Sequence, residues 1–273
     1  MRKSKKYKTM DNKVRQRIEE IKQRGVSISV GDIFSKSWDI FSGIALYAIL
    51  AIVITIAISF AINFIMGLFI SVPSFVISDM SDVDEVYAEA LSPLVWVSNI
   101  ISIVVAAALA PINISILSMA KKFNKHQNPD FSDLFVHYKD GKFGVIFTTY
   151  LAIQFLGLIG VLLCIVPGFI FYVTSILAIP FVLFTNFTTM EAIKSSVSIL
   201  FKNFGSAFVF CLACIGVAIL GALACGVGLL VAMPLIYIAT YVLYETIIGT
   251  DDNEQSEIDQ IGTDIYKDNP YMK

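Results

Sequence analysis

The side chains best suited to chemistry lie in one polar segment, residues 121–142, which holds both histidines of the chain. Imidazole nitrogens and carboxylate oxygens are ordinary ligands of transition metals, so the segment has the groups that a metal site needs. The candidate set is His126, Asp130, Asp133, His137 and Asp140. Its spacing matches no established ligand pattern, and the preferred interpretation is a solvated polar loop.

Two other clusters have part of the composition of a metal site. Cys211 and Cys214 are separated by two residues, as in zinc and redox sites, but no third or fourth ligand accompanies them. Segment 74–93 is acidic and has oxygen ligands for a cation, but it lacks the ordered spacing of a calcium loop. Its carboxylates are Asp79, Asp82, Asp84, Glu85 and Glu89. We interpret the cysteines as small core residues and the segment as a solvated loop.

Established catalytic motifs are missing from the sequence, which contains no G-x-S-x-G, P-loop or H-E-x-x-H pattern. The long apolar stretches hold no ionisable side chain in their centres, whereas proton relays and ion-coupled transporters generally keep one there. General acid or base catalysis needs a titratable group held against a partner. The sequence therefore predicts no catalytic residue, no cofactor-binding residue, no metal ligand and no cofactor.

The composition is that of an integral membrane protein. Hydrophobic residues make up 56% of the 273 residues and charged residues 15%, against roughly 25% charged residues in soluble domains. The mean hydropathy is +0.75. The 22 acidic and 20 basic residues nearly cancel, which argues against nucleic acid as a partner because nucleic-acid binding usually requires a basic face.

Charge-free runs predict an all-α bundle with six membrane-spanning helices. A membrane helix needs about 20 apolar residues, so the long runs after Lys142 and Lys202 must each fold back once. Glycine followed by proline marks the turns, as in the segment from Gly160 to Pro167. The predicted spans are 43–70, 94–120, 144–166, 168–187, 206–229 and 232–248. They pair into three hairpins of a polytopic membrane bundle.

The distribution of Lys and Arg predicts the orientation of the chain. All 20 lie in the N-terminal tail extended to Lys36, the 121–142 loop, the 188–205 segment and the C-terminal tail. Cytoplasmic loops carry the excess of these residues, so both termini should be cytoplasmic and segment 74–93 exterior. The predicted parts are a basic cytoplasmic tail (1–28), a six-helix membrane domain (29–248) and an acidic cytoplasmic tail (249–273). We expect the protein in the inner, or plasma, membrane.

The N-terminal tail is predicted to contain a short cytosolic helix. Ten Lys or Arg residues lie from Arg2 to Arg24, and Val14, Ile18 and Ile21 recur at helical spacing. Basic residues near a membrane attract anionic headgroups, at about 1 kcal/mol each. The preferred interpretation is a tail that orients the protein in the membrane.

A short motif recurs three times and predicts an internal repeat. Each copy has the spacing of a helix capping box, followed by apolar residues at helical intervals and a glycine near which the helix is expected to end. The motifs are Ser29-x-x-Asp32, Asp130-x-x-Asp133 and Thr188-x-x-Glu191, and the glycines are Gly43, Gly144 and Gly205. The repeats cover about 29–120, 130–187 and 188–248. We expect each motif to begin an amphipathic interfacial helix on the cytoplasmic surface. Alternatively, these helices are cytosolic extensions of the spans.

The second half of the chain carries the features of a known group. They are a proline-bearing helix, a short loop, the motif Glu191-Ala192-x-x-Ser195 and a last helix that ends in tyrosine. In these features the chain resembles the YciC-like group and the membrane domain preceding some bacterial glycerophosphodiester phosphodiesterases. The resemblance covers about residues 30–248 in hydropathy and 160–248 in detail. It implies an uncharacterised six-helix protein of the bacterial inner membrane, with no catalytic residues to carry over.

Three functions from different classes follow from these observations. A non-enzymatic membrane module that organises lipid or partner proteins agrees best with the resemblance and with the lack of reactive groups. The alternative is a facilitator or channel for a small or apolar solute, because proline kinks and polar groups at membrane depth could open a path. The prolines are Pro111, Pro180 and Pro234, and the polar residues include Asn63, Asn99, Asn113, Thr148, Thr149, Gln154 and Thr174.

A membrane enzyme is the third function considered. Some proteins similar to this one carry a beta-carotene monooxygenase label, and iron-dependent carotenoid cleavage needs several histidine ligands. This sequence has two, His126 and His137. The expected partners are membrane lipids and, beyond them, other membrane proteins or further copies of the chain, but not nucleic acid.

Overall fold

The computed structural model describes residues 2–69, 93–224 and 226–249, and every regular element in those ranges is a helix. Six helical segments are long and apolar enough to cross a membrane. They are Val30–Gly67, Trp96–Asn124, Phe143–Leu163, Ile165–Phe184, Phe204–Leu223 and Leu229–Ile248. The chain is therefore an all-α multi-pass membrane protein, as the sequence predicts. The carboxylates of segment 74–93 and residues 250–273 of the tail lie outside the described residues.

The helices follow one another through short connections. In chain order they are α1 (Arg2–Arg24), α2 (Val30–Phe69), α3 (Pro93–Asn124), a 3-10 helix (Phe131–Phe135), α4 (Val136–Lys139), α5 (Phe143–Leu163), α6 (Ile165–Thr174), α7 (Ala178–Phe184), α8 (Thr189–Lys202), α9 (Phe204–Leu223) and α10 (Leu229–Ile248). The predicted spans correspond to α2, α3, α5, the pair α6 and α7, α9 and α10. Helix α2 packs against both α3 and α10.

Large apolar side chains on the spans face outward. Leu46, Phe60, Leu163 and Leu223 are each more than two-thirds exposed, at 74%, 71%, 80% and 75%. A soluble monomer rarely exposes so much contiguous apolar surface, and lipid chains are the solvent that suits it. This pattern agrees with six membrane-crossing helices.

The first of the three predicted interfacial helices is not a separate element. Helix α2 runs without a break from Val30 to Phe69, so the stretch after Ser29 is an extension of the span. Gly43 does not end a helix but admits a neighbour, because a Cβ atom there would lie 2.1 Å from the Phe123 ring of α3. In the second copy the short element is the 3-10 helix followed by α4, and in the third copy it is α8.

Two of the three predicted capping boxes form in full. Asp130 and Asp133 cap the 3-10 helix reciprocally. At the start of α8, the Glu191 amide donates to Thr188 Oγ1 at 3.4 Å and the Thr188 amide donates to Glu191 Oε2 at 3.0 Å. In the first copy, the amide three residues after Ser29 donates to its Oγ at 3.4 Å.

Two turns, between α5 and α6 and between α9 and α10, bring backbone atoms of their glycines into close contact. A Cβ atom on Gly160 of α5 would lie 2.8 Å from the Cα of Gly168 in α6. Gly221 of α9 and Gly228 approach each other in the same way. A Cβ atom added to Gly228 would lie 2.7 Å from the Gly221 carbonyl oxygen. Small residues let membrane helices pack this tightly.

The fourth span is broken between α6 and α7. Pro180 lacks the amide that would bond the carbonyl four residues earlier, and its ring clashes with a continuous helix there. Ser196 of α8 fills the break, because its Oγ donates to the Thr174 carbonyl at 2.7 Å and accepts from the Leu177 amide at 3.0 Å. The buried serine is Ser196, whereas Ser195 of the family-like motif is half-buried. Pro111 and Pro234 lie inside helices that continue through them.

Candidate functional site

Several polar side chains that bond across the bundle meet at one end of it. Lys36 near the start of α2 and Asn124 at the end of α3 both bond Glu245 near the end of α10, at 2.9 and 2.6 Å. Lys142, just before α5, donates to three carbonyls at the end of α7, among them that of Leu183. We call this end, which also includes α1, the 3-10 helix, α4 and α8, the basic end.

The segment after α3 is folded back against that helix. Asp133 Oδ2 accepts from the Asp130 amide at 2.9 Å, and its other oxygen accepts from Lys122 Nζ of α3 at 2.5 Å. Leu134, which is fully buried, anchors the 3-10 helix in the core. These contacts place the next turn, α4, beside the last turns of α3.

Helix α4 brings His137 against Ser118 of α3. The His137 Nε2 atom lies 3.0 Å from Ser118 Oγ, and its Nδ1 atom lies 2.8 Å from Asp140 Oδ2. His137 is 4% exposed. A hydroxyl, an imidazole and a carboxylate are therefore joined in a row by two hydrogen bonds.

The partners of His137 determine where its proton lies. Burial lowers the pKa of His137 below its ordinary value of 6.5, although the hydrogen bond with Asp140 opposes that shift. The imidazole is therefore neutral at neutral pH. An ionised carboxylate only accepts, so Nδ1 donates to Asp140 and Nε2 is left to accept from the Ser118 hydroxyl.

Ser118 also faces an open cavity of about 330 Å³ at the basic end. The cavity is lined by Ser118, Lys121, Lys122, Lys125, Gln127 and Phe184. The ammonium group of Lys121 lies 4.6 Å above the Phe184 ring. We call this cavity, with its three lysines, the lysine cavity. Its positive charge and its apolar wall suit an amphiphile with an anionic head.

The five polar residues considered as metal ligands do not form one set. His126 lies in the turn after α3 with a φ of 54°, and it lines a different cavity. Asp130 and Asp133 cap the 3-10 helix, while His137 and Asp140 bond each other. Within residues 2–69, 93–224 and 226–249, no three His, Cys, Asp or Glu side chains are grouped to hold a metal ion.

The cysteine pair lies within a membrane helix. Cys211 and Cys214 of α9 are free thiols, and both are partly buried. They pack against the apolar core of the bundle. Their position agrees with the interpretation of small residues between packed helices.

Polar groups at membrane depth have partners of several kinds, and some bond only a carbonyl of their own helix, as Asn63 and Thr174 do. Thr55 of α2 donates to Asn113 Oδ1 of α3 at 3.0 Å, which is an ordinary interhelical bond. Asn99 and Gln154 instead line a cavity of about 710 Å³ beside α3, α5 and α6. The rest of its wall is mostly apolar, including Trp96. Such a wall suits a lipid chain or an apolar solute better than a row of water molecules.

Ser118 is a candidate residue that no sequence pattern predicts. It lies inside an apolar run, three residues before Lys121, and its sequence neighbours contain no motif that marks a reactive serine. The one sequence feature that could have indicated Ser118 was a hydroxyl near the end of a span, next to a loop with two histidines. That signal could not show which histidine would reach it, because the contact depends on how the loop folds back.

The chain is similar over part of its length to uncharacterised mycobacterial proteins. No protein-family model matches it, and no solved structure is significantly similar to it. An uncharacterised protein of Mycobacterium bovis and one of Mycobacterium tuberculosis are each 31% identical to it over 107 residues. The matched stretch covers 38% of this chain and 33% of each relative. The chain therefore matches about a third of the length of these relatives.

Proposed function

We propose that the protein is a lipid-organising module of the bacterial inner membrane that binds anionic phospholipid in the lysine cavity. The observation that carries this proposal is the convergence of three lysines and one aromatic ring around an open cavity at the end of a membrane helix. In this proposal the basic end and both chain termini are cytoplasmic. The one-sided placement of Lys and Arg in the sequence supports that orientation.

The depth of the cavity agrees with a phospholipid headgroup. Ser118 precedes the end of α3 at Asn124 by six residues, which is about 9 Å along a helix axis. The polar region of a bilayer is roughly 5–8 Å thick on each side. A cavity between these positions lies where phosphate groups meet acyl chains.

The charges of the cavity suit a phosphate. Basic residues near an anionic bilayer surface each contribute about 1 kcal/mol of attraction. Lys121 and Lys125 lie four residues apart on or just after α3, so both reach the same side of the helix. Phe184 supplies an apolar surface for the adjoining glycerol and acyl carbons.

Helix α8 supports the proposal from another part of the basic end. Its buried face includes Ile193, Ile199 and Leu200, while Met190 and Phe201 remain exposed at 54% and 64%. Exposed large apolar side chains on a short polar-faced helix are typical of an interfacial position. We infer that α8 lies along the headgroup boundary. The resemblance to YciC-like inner-membrane proteins is consistent with this placement.

Lipid-dependent thermal stability tests the proposal. Purified protein in a neutral detergent is heated with short-chain phosphatidylglycerol or with phosphatidylcholine of the same chain length. We expect phosphatidylglycerol to raise Tm more, and the difference to shrink at high salt because screening weakens the contacts. The double variant Lys121→Gln, Lys125→Gln should lose most of the difference.

A matched control distinguishes binding in the lysine cavity from general attraction of the lipid to positive charge. The double variant Lys194→Gln, Lys202→Gln removes the same charge from α8, where both lysines are exposed outside the cavity. It should keep the preference for phosphatidylglycerol. Equal stabilisation by the two lipids, or equal loss in both double variants, would contradict binding in the lysine cavity.

A further inference from the structure

The row Ser118, His137, Asp140 has the connectivity of an activated nucleophile. Such a site needs a hydroxyl within hydrogen-bond reach of a base, and a third group that orients the base. Here the two distances are 3.0 Å from Ser118 Oγ to His137 Nε2 and 2.8 Å from His137 Nδ1 to Asp140 Oδ2. The order of the three groups matches the serine, histidine and aspartate triad found on unrelated folds.

The hydroxyl of Ser118 bonds a side chain of another element and not a carbonyl of its own helix. A helical serine or threonine commonly donates to a carbonyl of its own helix. Ser115, one turn earlier in α3, does so to the Ile112 carbonyl at 2.6 Å, and Thr240 does so in α10 to Ile236 at 2.9 Å. Ser118 bonds the imidazole instead and faces the lysine cavity.

The lysine cavity supplies the remaining elements of an acyl-transfer site. Lysine ammonium groups stabilise negative charge that develops on a carbonyl oxygen, and they also hold a nearby phosphate. Lys121, Lys122 and Lys125 line the same cavity as Ser118, and Lys122 also pairs with Asp133. In a glycerophospholipid the phosphate and the ester carbonyls are a few bonds apart, so one cavity accommodates both.

We propose that Ser118 is the nucleophile of an esterase site for phosphate-bearing lipids, with His137 as general base and Asp140 as a positioning residue. The substrate class is a carboxylic ester of an anionic amphiphile. This inference rests on the proposed lipid binding at the lysine cavity, and it goes beyond the absence of catalytic residues that the sequence predicts.

The reaction balances without a cofactor. Ser118 Oγ forms a bond to the ester carbonyl carbon, and its proton moves to His137 Nε2. The bond from that carbon to the alkoxy oxygen breaks, and the proton on Nε2 passes to the leaving alcohol, a lysophospholipid. Water from the cytoplasmic side then attacks the acyl-serine with His137 as base. This step releases the fatty acid and restores the Ser118 hydroxyl.

Covalent labelling tests the inference directly. The full chain, in nanodiscs that contain phosphatidylglycerol, is treated with a fluorophosphonate probe, and the modified peptide is identified by mass spectrometry. We expect one adduct on Ser118. The variant Asp140→Asn preserves shape but reverses the hydrogen bond to Nδ1, and it should label at least 100-fold more slowly, as loss of general-base function predicts.

Controls distinguish chemistry from structure. Ser115→Ala removes a hydroxyl from the same helix, outside the lysine cavity, and should label at the wild-type rate. Ser118→Ala should lose the adduct and the release of lysophosphatidylglycerol from the nanodisc.

Two outcomes overturn the esterase inference. One is folded wild-type protein that shows the phosphatidylglycerol-dependent Tm rise but takes up no probe at Ser118. The other is labelling at Ser118 that is as fast in Asp140→Asn as in the wild type. Either result leaves lipid binding at the lysine cavity standing. Labelling without any lipid-dependent Tm difference would instead contradict the proposed function.

Discussion

The guanidinium of Arg15 lies 2.8 Å from the Glu191 carboxylate, and this ion pair ties the basic helix α1 to the cap of α8. Arg15 also lies over the Phe187 ring, 4.7 Å from its centre. Val14, Ile18 and Ile21 of α1 are buried and belong to the hydrophobic core of the bundle. The N-terminal segment is therefore a packed part of the basic end as well as a source of positive charge.

Because Arg15 pairs with Glu191, we expect the fold to lose stability in acid. The hydrogen bond from Arg15, and next the bond from the Thr188 amide, lower the pKa of Glu191 from its ordinary 4.5 to about 2. A lowered carboxylate pKa stabilises the fold fully above pH 4.5 and less as the pH falls toward 2. Both side chains are more than a third exposed, so the pair contributes no more than about 1 kcal/mol.

Thermal unfolding of wild type and Glu191→Gln measures this effect. The difference in Tm should be constant from pH 7 to pH 5 and should shrink below pH 4.5. A difference that grows on acidification would contradict the assignment. Glu19→Gln is the control, because Glu19 pairs with Lys22 within α1 and bridges no other helix.

Removal of the α8 cap should loosen the start of that helix. Thr188→Ala deletes the hydroxyl that accepts from the Glu191 amide, and loss of such a cap costs about 0.5–2 kcal/mol. Hydrogen exchange at residues 192–195 should become faster. Thr246→Ala, whose hydroxyl bonds only a carbonyl of its own helix α10, should leave that exchange unchanged. Unchanged exchange in Thr188→Ala would mean that the capping box is unimportant.

Removal of the Ser196 hydroxyl should destabilise the whole bundle. Ser196→Ala leaves the Thr174 carbonyl and the Leu177 amide without their partner at a buried position. Unsatisfied buried groups cost about 1–3 kcal/mol each. The half-buried neighbour provides the control, and Ser195→Ala should change Tm little. Equal effects of the two variants would show that the bridge across the break is not needed.

Probe labelling at Ser118 should fall under mild acid. The base works only when neutral, and burial lowers the pKa of His137 below 6.5. The charged groups around His137 are Asp140, Lys142 and Asp133. Because that pKa is lowered, the labelling rate should fall to half of its maximum at a pH below 6.5. A midpoint above 6.5, or a rate independent of pH, would contradict a role for His137 as base.

Chemical labelling from the two sides of the membrane tests the orientation. In a cysteine-free background, single cysteines replace Asp84 and Asn128. Asn128 is exposed at the basic end, and the one-sided Lys and Arg pattern predicts that it faces the cytoplasm. An impermeant reagent should label the two positions from opposite sides of sealed vesicles. Labelling of both from the same side would eliminate the six-span arrangement.

Local sequence patterns were enough to predict the membrane architecture. Six spans follow from the length of the apolar runs, because a helix that crosses a bilayer needs about 20 residues whatever its neighbours are. The capping boxes at Asp130 and Thr188 are equally local, since their bonds join residues three apart. Interactions between residues this close in the chain can be predicted from residue spacing.

Three features depended on contacts between distant residues, and only the tertiary structure decided them. Gly43 was expected to end a helix, but the Phe123 ring of α3 occupies the space beside it and α2 continues. The helix break before Pro180 is bridged by Ser196, which lies in a later helix and accepts from the Leu177 amide. Ser118 meets His137 because the capped loop folds back on α3. Sequence periodicity assigns each such residue to a helix face, but partners across the bundle are selected by packing.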